Sequence, residues 1–139
     1  MSEETEPYRS ACQAPLPALA LRGLENFNAG KYFEAHEYLE AAWRDEPGPV
    51  RNLYQGVLQV AVGYYHLRNG NFLGARKMFA RSRKWLASLP AICQGIDVAQ
   101  LGRDRDRVEA EMLLLGPSRL RLFNLSFLRP VQYQNQQEG

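Results

Sequence analysis

The decapeptide Gly30–Leu39, GKYFEAHEYL, returns forty residues later as Gly70–Phe79, GNFLGARKMF. Glycine opens both copies, an aromatic follows two residues on, alanine holds the sixth place and a large apolar residue the tenth. Packing gives the reason for each. The glycine turns a corner, the small alanine lets two helices approach closely, and the bulky residue fills the groove between them. A corner followed by such a helix, used twice, makes a helical hairpin the repeating unit.

Apolar periodicity agrees. Pro15 and Pro17 open a helical pattern in which Leu21, Leu24 and Phe27 share one face, closed by Asn28-Ala29-Gly30. A second helix is expected over about 31–46, with Tyr32, Ala35, Leu39, Ala42 and Trp43 on one stripe. Pro47-Gly48-Pro49 stops it. A third, about 49–69, is apolar nearly all round, which places it in the middle of a bundle. A fourth, about 71–88, turns Phe72, Ala75, Phe79, Trp85 and Leu86 inward. GIDVAQL reads as a short helical turn capped by Asp97, and a fifth helix spans about 103–115. No strand or hairpin signal punctuates residues 14–115. The expected class is all-α: a compact bundle of about five helices, with residues 1–13 a flexible arm, 14–116 the bundle and 117–139 an extended or irregular tail. The corner and following helix look like the second half of a tetratricopeptide repeat, in two antiparallel hairpins, although the forty-residue period exceeds the usual thirty-four.

Composition excludes little beyond this. An apolar content of 45% suits a folded domain, and a net charge of +2 does not announce a nucleic-acid binder. The first ten residues are polar and acidic, unlike a secretion signal. The longest apolar run, VLQVAVGYY, is too short to span a bilayer. Cys12 and Cys93 have no metal-type spacing. A bond between them is possible but has no support, since Cys12 falls in the loose arm. A cytoplasmic, reducing location is expected, with no membrane partner.

The chemistry concentrates in YFEAHEYLEAAWR and the helix after it. His36 and Glu40 lie four apart, one above the other. Arg51, Gln55, Gln59 and His66 form a polar stripe on the otherwise apolar third helix. The Pro-Gly-Pro turn folds that helix back, so His36 and Glu40 are expected to meet Gln55 and Gln59, with Trp43 as a wall. His66 falls roughly 9 Å further along at about 1.5 Å per residue. The bland interpretation of this cluster is a buried hydrogen-bond network. The sharper one is a small-molecule, metal or catalytic pocket in which a buried His–Glu pair does acid–base work. HEYLE is not the H-E-x-x-H zinc motif, because its fifth residue is Glu40. Zinc would need His66 or another carboxylate beside His36 and Glu40, and no cofactor or metal is expected. Arg44 and Arg51 are expected to pair with nearby acids, or to form an anion-binding fork if exposed. Gly56 and Gly63 are expected to allow close helix packing rather than to bind phosphate. The helix over 71–88 carries Arg76, Lys77, Arg81, Arg83 and Lys84 and no acid. That is a solvated face or, on the sharper interpretation, an RNA-binding one.

These residues also carry a resemblance. The run EAHE-x-x-E-x-x-W-R, then R-x-x-x-Q-G-x-x-Q, then a YHL-R-x-GN turn resembles domain-of-unknown-function family 309, over about residues 20–90. The resemblance implies an all-helical protein with no settled activity. Its polar motif positions fall here on Glu34, His36, Glu37, Glu40, Trp43, Arg44, Arg51, Gln55, Gln59 and His66. The expected role is a helical interaction or scaffold domain, with a protein partner or a second copy covering the bundle's apolar ends. The alternatives are an enzyme or ligand-binding protein using His36 and Glu40, and an RNA-associated factor using the basic helix.

Overall fold

Two glycine corners frame the molecule. In the computed structural model, which describes residues 6–134, Gly30 and Gly70 both take positive φ, at 77° and 76°. In chain order the helices are α1 Glu6–Gln13, α2 Ala18–Asn28, α3 Tyr32–Asp45, α4 Arg51–Arg68, α5 Phe72–Leu86 and α6 Val98–Leu115. At the end of α2, Lys31 N–H donates to the Asn26 carbonyl (2.8 Å) and Gly30 N–H to Phe27 (3.0 Å). At the end of α4, Asn71 N–H donates to His66 (2.8 Å) and Gly70 N–H to Leu67 (3.0 Å). This is the same glycine-terminated cap twice, satisfying carbonyls that a helix end leaves bare. Arg68 joins the two corners: its Nη1 donates to the Gly30 carbonyl at 2.7 Å while its guanidinium lies 4.7 Å from the Tyr32 ring centre.

The small residues seat the helices. A Cβ on Gly23 of α2 would lie 2.6 Å from Leu39 of α3. On α4, Gly56 faces Leu86 and Gly63 faces Phe79, with no room for a Cβ at either. Position 56 opposite 86 and 63 opposite 79 makes α4 and α5 antiparallel. The packing role expected for these two glycines is the one they have. Helix α4 is the central rod, with Leu53, Tyr54, Val57, Val60, Ala61 and Tyr64 all fully buried. Near the glycine corners an aromatic chain runs from Phe27 to Tyr32 (5.3 Å), to Tyr64 (5.5 Å) and to Phe79 (5.9 Å). Edge-on ring contacts of this kind add about 0.5–1.5 kcal/mol each beyond simple burial.

The protein is thus the all-α bundle that periodicity predicts, with four differences in detail. Glu6–Gln13 is helical rather than loose: Tyr8 and Cys12 are buried, and Cys12 is disulfide-bonded to Cys93 across a Cα–Cα distance of 4.3 Å. The rest of the expected arm, residues 1–5, lies outside the described residues. A two-residue hairpin, β1 Ile92–Cys93 with β2 Ile96–Asp97, replaces the expected helical turn. Asp97 does cap a helix, its carboxylate accepting from Gln100 N–H at 2.9 Å, but α6 runs unbroken from Val98 rather than from 103. Beyond α6, two 3-10 turns, Pro117–Leu122 and Leu125–Phe127, lead the chain back to the first corner. There the Asn28 side chain pairs both ways with Val131, donating to its carbonyl (3.0 Å) and accepting from its N–H (2.8 Å).

Gln94, at the tip of the hairpin with φ 50°, ties α1 to the core. Its N–H donates to the Cys12 carbonyl (2.6 Å), its amide nitrogen to Ala11 (3.1 Å), and its amide oxygen accepts from the Tyr54 hydroxyl (2.7 Å). Burial, more than that hydrogen bond, pushes the Tyr54 phenol up to about 12. Among the described residues no helix is long and apolar enough to cross a membrane.

Candidate functional site

Helix α3 carries a charged column along one edge. His36 Nε2 lies 3.3 Å from Glu40, and Arg44 donates to the other Glu40 oxygen at 2.6 Å. All are spaced by four, so the column follows from helix geometry alone. Its members are half-buried or exposed, which limits each pair to about 0–1 kcal/mol. Phe33 covers the His36 ring (5.4 Å between centres) and reaches Tyr65 on α4 (5.6 Å). The Arg51 guanidinium stacks 4.1 Å from the Trp43 ring, joining the start of α4 to the end of α3. Five buried polar atoms of α3 and α4 lack a hydrogen-bond partner among the described residues: His36 Nδ1, Trp43 Nε1, Arg51 Nε, Gln59 Oε1 and the Tyr64 hydroxyl. Unsatisfied buried polar atoms are uncommon in folded proteins.

Beside α4 a cavity of about 590 Å³ opens between it and α5. Asn52, Gln55 and Gln59 line one wall, at steps of three and four. Arg81, Lys84 and Trp85 line the other, again on one helical stripe. Gln59 is only 7% exposed, and its carbonyl oxygen has no partner. Arg81 and Lys84 are exposed and have no ion pair among the described residues, whereas Arg83, on another face of α5, is neutralised by Asp106 (2.9 Å) and Glu109 of α6. Arg105 completes that seam by donating to Ser82 at 3.0 Å. At one end of the cavity Asn52 donates to the Tyr8 hydroxyl of α1 (3.0 Å), which also bonds Ser88 at the end of α5 (3.3 Å).

The expected residues therefore divide. His36, Glu40 and Arg44 come together, as do Trp43 and Arg51. Gln55 and Gln59 line the cavity shared with α5, and no hydrogen bond joins either to His36 or Glu40 among the described residues. Rather than pairing with an acid, Arg51 stacks on Trp43, while Glu46 accepts from Gly48 N–H at 2.8 Å. Glu34 and Glu37 are exposed, without an ion pair among the described residues. His66 belongs to the second glycine corner, with its Nδ1 3.3 Å from the Asn71 side chain; desolvation holds its imidazole below the usual histidine value. Among the described residues, no three His, Cys, Asp or Glu side chains converge as a metal site would require.

Comparison with known proteins matches residues 20–78 to the family described as "Domain of unknown function (DUF309)". The "Uncharacterized protein YpuF" of Bacillus subtilis (strain 168) is 37% identical over 87 residues, which cover 61% of this chain and 47% of that protein. The chain thus spans about half the length of that relative.

Proposed function

We propose that the DUF309-matching core is a binding module whose cavity between α4 and α5 receives a ligand carrying negative charge. One observation carries this reading: among the described residues Arg81 and Lys84 stand without counter-charge beside the buried Gln59, whose carbonyl oxygen has no partner, while Arg83 on the same helix is neutralised internally. A cation left bare at a cavity lined with amides is arranged for an incoming anion, since bonds from charged donors are the stronger ones. The volume falls in the range of ligand pockets, about 300–1,000 Å³. Two glycine-capped hairpins, α2–α3 and α4–α5, support a tetratricopeptide-like interpretation of the frame. The module would then bind on the face of α3, α4 and α5. This narrows the expected interaction role to partners that bring an anionic group.

The test is calorimetric titration of the full chain with inorganic pyrophosphate and with citrate, at low and high salt. Binding that weakens with salt and disappears in Arg81→Ala/Lys84→Ala, but persists in Arg129→Ala, supports the reading. Heat of binding unaffected by the double substitution, or no binding of either anion, sinks it.

A further inference from the structure

We infer that the ligand of this cavity is a nucleoside phosphate: its planar base against Trp85, its base edge on the glutamines of α4 and its phosphate on Arg81 and Lys84. The inference rests on the anion-binding reading above and names what the anion is attached to.

The composition of the walls argues for three chemical parts. Arg81 and Lys84 supply charge for a phosphate. Trp85 is the aromatic plane of the cavity, and stacking a base on an aromatic side chain contributes about 1–3 kcal/mol. Asn52, Gln55 and Gln59 are amides, and each amide offers a donor and an acceptor side by side. That is the pattern with which Asn and Gln read a base edge, adenine above all.

Gln59 favours this ligand over a plain anion. A carboxylate would satisfy Arg81 and Lys84 but has no hydrogen to donate, and a phosphate held by them has only its P–OH to offer the opposite wall. The Gln59 oxygen, closed off and without a partner among the described residues, is in a state that costs about 1–3 kcal/mol. A base with an exocyclic amine supplies an N–H to that oxygen once the Gln59 amide turns into the cavity. Spacing agrees as well. Arg81 and Trp85 are four apart on α5, so phosphate site and ring site lie about 6 Å apart along the helix. A pentose bridges a span of that order. The hydrogen bond from Asn52 to Tyr8 bounds the cavity on the α1 side, which favours a single nucleotide over a strand passing through.

Four probes are titrated into the full chain by calorimetry: adenosine monophosphate, inosine monophosphate, adenosine and inorganic phosphate. The adenine nucleotide is expected to bind at least about tenfold more tightly than either adenosine or phosphate. Inosine monophosphate, which lacks the exocyclic amine, should be about tenfold weaker, because one well-placed base contact discriminates by about 1–3 kcal/mol. Gln59→Leu should remove the preference for adenine over inosine while leaving phosphate binding unchanged, and Trp85→Leu should weaken both nucleotides equally. Circular dichroism establishes that each variant is folded. Should Gln59→Leu not fold, Gln59→Glu serves, which keeps an acceptor and is expected to keep the adenine preference.

The outcomes separate the two readings. If adenosine monophosphate binds no more tightly than phosphate, and both depend on Arg81 and Lys84, the nucleoside inference falls and the anion site stands. If no phosphate-bearing probe binds, both fall. A six-nucleotide oligoadenylate binding far more tightly than the mononucleotide, with a steeper salt dependence, would also overturn the inference, in favour of a strand-binding surface.

Discussion

Gly63→Ala tests the seating of α5 on α4, because two opposing effects act on one atom. Within a helix, alanine is favoured over glycine by about 1 kcal/mol. Here the added Cβ would lie 2.8 Å and 3.2 Å from Cδ1 and Cζ of Phe79, with a further ring atom closer still. Comfortable carbon contacts begin near about 3.5 Å. The Phe79 ring cannot swing clear, since it is fully buried and held 5.9 Å from the Tyr64 ring. Overpacking a filled core costs about 1–3 kcal/mol, and a fully enclosed ring places this site near the top of that range. The net expectation is a loss of about 1–2 kcal/mol, or a melting temperature lower by about 4–8 °C for a chain of this size. Gly102→Ala is the control. Its Cβ would meet only the Arg105 guanidinium, Nη2 at 3.5 Å and Cζ at 4.0 Å, ordinary contacts inside α6. The propensity gain then stands alone, raising stability by about 1 kcal/mol. Urea titration and thermal melts followed by circular dichroism read both. The two substitutions should move stability in opposite directions, and Gly63→Ala/Phe79→Leu should show favourable coupling. A Gly63→Ala protein as stable as the parent would refute the glycine-to-ring account of this interface.

Three further expectations follow from the fold. Reducing the Cys12–Cys93 bond, which closes a separation of 81 residues, removes a chain-entropy constraint worth up to about 4.5 kcal/mol, of which bridges typically deliver about 2–4; urea midpoints with and without reductant measure it, thiol titration reports the redox state, and equal midpoints would disprove the effect. Arg68→Met deletes both the hydrogen bond to Gly30 and the stacking on Tyr32, so a loss of about 1–2 kcal/mol is expected, while a loss under about 0.3 would show that the corners hold without it. Alkaline stability depends on Tyr54, whose folded value of about 12 lies above the ordinary 10. Between those values the folded state holds the proton and the unfolded state has lost it, so this contribution is complete below pH 10 and is lost as pH rises through 12. The loss amounts to about 3 kcal/mol. Tyr54→Phe should flatten the decline above pH 10 while costing stability at neutral pH, and an unchanged alkaline slope would refute the assignment.

The corners were legible in the sequence because their determinants are local. Each cap uses six consecutive residues and a glycine that must take positive φ, so GKYFEAHEYL and GNFLGARKMF announce their structure without reference to anything distant. The Asp97 cap and the His36–Glu40–Arg44 column are local in the same sense. Helix α1 was not legible. Eight residues are too few for a stable isolated helix, and its order comes from Tyr8, Cys12 and Gln94, partners brought together by the tertiary fold. The site fell between these cases. A polar stripe on α4 was plain, but a helix buried nearly all round can turn that stripe towards either neighbour. Rotation about the α4 axis is a tertiary fact, and it sends Gln55 and Gln59 to α5 instead of to His36. The clue lay in α5 itself, where Lys77, Arg81 and Lys84 recur at steps of four and three with no acid nearby.

The bond between Cys12 and Cys93 encloses α2 through α5, and with them every residue of the cavity, in one covalent ring. A machine that unravels proteins by hauling on an end transmits its tension through the shortest unbroken route. In the oxidised chain that route runs from sulfur to sulfur. Pulled from its C-terminal side, the protein would yield the 3-10 turns and α6 first, and pulled from its N-terminal side it would yield α1 first, while the ring arrived at the translocation pore as an uncut loop.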